Sequence, residues 1–148
     1  MPPADAAEAF AAIQEVLARY FDGLHHSDAE SLAGVFHPRA LYATATDGSL
    51  LALDLERYLA IVAERPAPSS RGERRTDAIE SIELAGPVTA LARVRCSIGP
   101  KHYTDLLTLV RVDDRWQIIA KVFHHELMGE DGTRVATDPS ASECPCPT

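Results

Sequence analysis

Apolar side chains at Phe10, Ile13, Leu17, Tyr20, Phe21 and Leu24 recur at spacings of three and four, which puts them on one face of a helix. Asp5, with Glu8 three residues on, makes a capping-box pattern at its start, and Gly23 is expected to help end it. Ser27 and Glu30 repeat that signature before a short helix carrying Leu32, Val35 and Phe36. Pro38 closes the short helix, because a residue preceding proline is pushed out of the helical region. His25 and His26 therefore fall in the corner between two helices, and His37 at the opening of a strand.

The stretches ALYATA and LLAL, joined through Asp47-Gly48, read as a hairpin. Asp54 can cap a third helix, with Leu55, Tyr58, Leu59 and Val62 as its stripe, and RPAPSSRG then reads as a surface loop. From there to His125 the period is two. TDAIESIELAG, VTALARVRCSI, HYTDLLTLVRV and RWQIIAKVFHH are four strands with links short enough for hairpins, an antiparallel meander. Ile79 is out of phase with Ile82 and Leu84, which predicts a β-bulge near Glu80 and Ser81 and a bent sheet. The predicted architecture is α+β: a curved antiparallel sheet wrapped around three N-terminal helices, a cone. Residues 1–127 are expected to form one domain, and 128–148 a loose polar tail.

Composition narrows the function classes. At 46% apolar residues the chain can build a core, yet no apolar run approaches the ~20 residues of a membrane span. A formal charge of −8 argues against a broad nucleic-acid or anionic-membrane surface. Arg71, Arg74 and Arg75 form a local basic stretch, read as a solvated loop. MPPADAAEAF is acidic and lacks an apolar signal core, so a cytoplasmic protein is expected. Cys96 reads as a core residue, whereas Cys144 and Cys146 are too close for a relaxed disulfide and too few for a structural zinc site.

The stretches YFDGLHHSDAESLAGVFHPRA and YTDLLTLVRVDDRWQIIAKVF carry a resemblance. With the ordered pair FHP and Y-x-D…W-x-I-x-x-K-V-F, the chain resembles the nuclear transport factor 2-like (NTF2-like) superfamily over about residues 8–127. That superfamily also holds ketosteroid isomerases, polyketide cyclases and scytalone dehydratase, and the nearest likeness is to its lumazine-binding branch. The resemblance implies a cystatin-like, NTF2-like cone, a small aromatic ligand, and a homodimer formed through the convex sheet face.

Pairing the strands across their turns assigns side chains to faces. If Asp113-Asp114 is a two-residue turn, Tyr103 lies opposite His124, and across Gly99-Pro100 Cys96 lies opposite Tyr103. The more apolar face, directed at the helices, then carries Cys96, Tyr103, Asp105, Trp116 and His124, while Arg93, Arg95, Lys121 and His125 point outward. A one-residue slip would exchange the two sets. Asp105 is the most informative position, because a carboxylate amid TDLLTLV is costly to bury without a partner. Asp105, His124 and His37 are the candidate catalytic residues, with Tyr103, Tyr20, Tyr42, Cys96 and Trp116 as candidate ligand contacts. Each also has a structural reading: His37 can bond the backbone at its corner, a strand-end His124 can simply be exposed, and Trp116 can be core. No ligand spacing is diagnostic of a metal, and no cofactor is expected. Two functions fit these residues. One is a binding protein for an aromatic or polycyclic metabolite. The other is a cofactor-independent lyase, isomerase or cyclase acting on a carbonyl compound, with a His/Asp acid–base pair. A non-catalytic scaffold is the third reading.

Overall fold

The computed structural model describes residues 3–128 and 134–135. Helix α1 (Pro3–His25) is longer than its predicted cap allows, and Gly23 lies inside it rather than at its end. Gly23 serves a close approach instead: a Cβ there would sit 2.7 Å from Cγ and Cδ2 of Leu32 on α2 (Ala29–Val35). The cap of α2 is Asp28, not Ser27; its carboxylate accepts from the Ser31 amide at 3.1 Å. Asp54 caps α3 (Leu55–Glu64) as expected, accepting from the Arg57 amide.

The strands are β1 (Phe36–Thr44), β2 (Leu51–Asp54), β3 (Ala78–Leu84), β4 (Thr89–Ile98), β5 (Lys101–Val112), β6 (Arg115–Met128) and the short β7 (Arg134–Val135). They order as β2-β1-β6-β5-β4-β3, with β7 beside β6. The hairpin and the meander are both present, and Glu80 is the bulged residue between the Ile79–Val94 and Ser81–Arg93 pairs. The expected all-antiparallel sheet is corrected at one seam. β1 runs parallel to β6, because α3 and the long connection after it return the chain to the far edge. The curved mixed sheet closes over the three helices as an α+β cone.

The second correction is a bulge that the alternation does not reveal. Val112 pairs with Arg115 and Leu109 with Ile118, as a two-residue turn requires. Thr108 then pairs with Ala120, so Ile119 is an extra residue. Beyond it Tyr103 faces His125 rather than His124, and Asp105 faces Phe123. Lys121, Phe123 and His125 thus turn inward while Val122 and His124 turn outward. The exchange is confined to β6. Arg93 and Arg95 stay outside, both bonded to Glu80.

Candidate functional site

Six elements converge on Asp105, which is fully buried. The Tyr20 hydroxyl on α1 donates to its Oδ2 at 2.6 Å. Lys121, from β6, places Nζ 4.0 Å from the same oxygen and donates to the Tyr58 hydroxyl of α3 at 3.3 Å. That ammonium stands over the faces of Tyr20, Tyr42, Tyr58 and Phe123, at 5.1 to 5.6 Å from the ring centroids. Tyr42 stacks on Tyr58 at 4.5 Å, and Tyr103 tilts against Phe123 and His125 at 5.6 and 5.5 Å. Cys96, paired with Tyr103 on β4, completes the wall.

Burial sets the electrostatics. It pushes Tyr42 up to about 12 against the pull of Lys121, and the Cys96 thiol up to about 12 with help from the Asp105 charge. It raises Tyr20 as well, reinforced by Asp105, and Tyr103. For Lys121 burial acts downward, but the surrounding phenols and Asp105 outweigh it, so the amine is held raised and protonated. Four buried polar atoms here have no partner: Asp105 Oδ1, Arg65 Nε, Arg65 Nη2 and His125 Nδ1. Such atoms are rare in folded proteins and each calls for an explanation.

Of the sequence candidates, Asp105, Tyr20, Tyr42, Tyr103 and Cys96 come together. His124 does not: its side chain is 61% exposed, with Nδ1 3.1 Å from the Thr46 hydroxyl and Nε2 3.6 Å from Glu126. The Ile119 bulge is the physical reason, and the same bulge brings in Lys121, which parity had sent outward. His37 accepts from the Arg39 amide at 3.0 Å, the local backbone bond open to a corner histidine. Trp116 is buried, but pairs with Arg111 six positions along β5 from Asp105, about 20 Å away. There it lines a separate cavity of about 280 Å³ with Glu8, Ala12 and Arg111. Sequence reasoning missed Tyr58, read only as helix stripe, and Arg65, read only as the start of a polar loop. The basic stretch enters surface ion pairs, Arg71 with Glu73 and Arg75 with Asp22 and Asp77. Among the described residues no group of three His, Cys, Asp or Glu side chains is placed to hold a metal, and no helix is long and apolar enough to cross a membrane. Cys144 and Cys146 lie outside the described residues.

A bent sheet closed over three helices is the architecture of an NTF2-like protein. The match can be made narrower. Residues 8–124 fit the family described as "Putative lumazine-binding", and the chain belongs to that family. Its fold is similar to that of an NTF2-like protein of unknown function from Silicibacter pomeroyi DSS-3, with a TM-score of 0.73 at 22% identity over 81% of this chain and 98% of that one. An NTF2-like protein of unknown function from Shewanella baltica OS155 gives 0.73 at 24%, covering 80% and 94%. A cystatin-like fold protein from Burkholderia xenovorans LB400 gives 0.61 at 19%, covering 80% and 92%. A 40-residue stretch is 40% identical to the aldolase FrzH of Cladobotryum sp.; it takes in 26% of this chain and 32% of that protein.

Proposed function

We propose that the interior of the cone binds a small aromatic molecule, with Asp105, Lys121 and Tyr20 at its polar end and Tyr42, Tyr103 and Phe123 against its ring faces. The observation that carries this reading is Asp105 Oδ1, an oxygen of a fully buried carboxylate that accepts no hydrogen bond. An unpaired buried acceptor costs about 1–3 kcal/mol, more when charged. A ligand N–H or O–H removes that cost. Aromatic walls with a few convergent polar groups are the usual form of a small-molecule site. The family's description points to the same chemistry, since lumazine is a planar ring system edged with N–H and C=O groups. Native mass spectrometry of gently purified protein, followed by fluorescence titration with lumazine, tests the reading. A retained small mass or saturable quenching supports it, and the absence of both overturns it.

A second reading rests on the stretch similar to an aldolase. Here Asp105 exchanges a proton next to a carbonyl, and the Lys121 ammonium and Tyr20 hydroxyl stabilise the oxyanion. A protonated lysine is an oxyanion donor rather than a Schiff-base nucleophile. Asp105→Asn separates the readings: an enzyme loses turnover while keeping ligand, and a binder only weakens.

We further propose that the chain forms a homodimer through the convex face. Leu106 and Val122 are neighbours there, 40% and 44% exposed, with Thr104 and Thr108 alongside. An amphipathic sheet face of this kind suits a twin. Light scattering behind size exclusion should give twice the chain mass, and Val122→Glu should halve it.

A further inference from the structure

Arg65 begins the loop after α3, and its backbone amide closes that helix on the carbonyls of Ile61 and Val62. The side chain is therefore free of any capping duty. Its Nε and Nη2 are both buried and both without a hydrogen-bond partner. These two atoms are the N–H pair on one edge of the guanidinium, spaced to grip the two oxygens of a planar oxyanion in parallel.

Arg65 follows the buried Val62 by three positions and the buried Tyr58 by seven, so it leaves α3 on the face those two residues turn into the cone. Its charge pulls against the burial-driven rise of Tyr42, Cys96 and Tyr103, as Lys121 does at all three. Asp105 lies beside Lys121 and offsets it, which leaves Arg65 as the cation in excess. Tyr58, on the same face of α3, stacks on Tyr42. An unmatched fork next to flat aromatic walls defines the missing complement by its chemistry.

We infer that Arg65 is a specificity-determining residue that binds the carboxylate of an aromatic ligand through its Nε/Nη2 edge, so that the natural ligand is a planar aromatic acid. The inference rests on the binding reading given above and narrows it. A carboxylate satisfies both orphaned donors in one plane and balances the surplus charge. The neutral parent ring satisfies neither demand. A tetrahedral phosphate reaches the same donors but adds a third oxygen and a second charge.

The experiment is a calorimetric titration of full-length protein with lumazine, lumazine-6-carboxylate and inorganic phosphate, repeated on Arg65→Lys and Arg65→Met. Wild type should bind the carboxylate at least about tenfold more tightly than lumazine. Arg65→Met should bind the two equally, and Arg65→Lys, which keeps charge but loses the fork, should recover only part of the preference. Melting temperature identifies any variant that has lost its fold, and the wild-type probe comparison stands without the variants. Equal wild-type affinity for the two lumazines overturns the inference and leaves the binding reading intact. Saturable phosphate binding tighter than the carboxylate overturns it too, in favour of a phosphorylated ligand. If neither lumazine binds, the binding reading falls and takes the inference with it.

Discussion

The Tyr20 hydroxyl donates to Asp105 Oδ2 at 2.6 Å across 85 positions of sequence, so the first helix is tied to the middle of the sheet by one buried bond. Tyr20→Phe removes the donor and leaves the ring, and with it the contact to Phe36. A hydrogen bond to a charged group contributes about 1.5–3 kcal/mol. Urea unfolding should register a loss in that range with an unchanged m-value. A loss below about 0.5 kcal/mol would show the carboxylate satisfied by other means.

Lys121 and Asp105 form a pair 4.0 Å apart with no more than 5% of either side chain exposed. Removing one member of such a pair strands the other. Lys121→Met should cost about 3–5 kcal/mol, whereas Lys121→Met with Asp105→Asn should recover much of it. A double-mutant cycle measures the coupling. Additive losses would mean that the two charges do not sense each other.

Much of the fold is legible because its signals are local and mutually consistent. The stripe from Phe10 to Leu24, the Asp54 cap, the phase break at Ile79 and the short turns each predict an element that is present. The parallel β1–β6 seam is not legible, since no local pattern says which strand a hairpin edge will join. Within the site, Asp105 was legible as a polar residue at an apolar-phase position. His124 was misplaced for a specific reason. The sequence QIIAKVF offers apolar residues in both phases, so adding Ile119 as an extra residue disturbs no hydrophobic pattern, yet it exchanges every side chain after it. Arg65 stands in phase with the stripe, three positions after Val62, but a charged residue followed by proline reads as the start of a loop.

The bulge predicts different chemistry for two adjacent histidines. His124 stands on the outer face and His125 against the Tyr103 ring at 5.5 Å. Diethyl pyrocarbonate should modify His124 well before His125, as read by peptide mass mapping. The reverse order would restore the unbulged register. Deleting Ile119 removes the extra residue while Ala120 still follows on to Thr108 and Lys121 to Leu107, so that variant should fold with Lys121 and His125 inside and keep the same order of modification.

His125 gives a pH dependence with a defined sign. Burial lowers its pKa from the ordinary value, as do the charges of Lys101 and His124, with Asp47 acting the other way. In the unfolded chain the ring takes up a proton near pH ~6.5, while the folded protein resists until lower pH. Between the two values the unfolded state binds more protons, so stability rises with pH there. The folded protein should therefore lose melting temperature as pH falls from about 7 through 6 and below. His125→Gln should flatten part of that slope while leaving pH 8 little changed. A slope identical to wild type would assign the acid sensitivity to other groups.

Two helical glycines should respond in opposite directions to the same change. Within a helix alanine is favoured over glycine by up to about 1 kcal/mol, and both glycines stand in the last turn of theirs. At Gly34 on α2 an added Cβ meets nothing within 4 Å, so Gly34→Ala should raise the melting temperature. At Gly23 on α1 the new methyl would stand 2.7 Å from Leu32 Cγ, on a side chain with no exposed surface and little freedom to withdraw. Overpacking of this kind costs about 1–3 kcal/mol, which exceeds the helical gain over most of that range. Gly23→Ala should thus lower the melting temperature, and because Leu32 ties α2 to α1, helix separation rather than local fraying is the expected response. Chemical denaturation of the two variants side by side decides it. Stabilisation by both would mean that α1 and α2 pack less closely at Gly23 than the 2.7 Å approach requires.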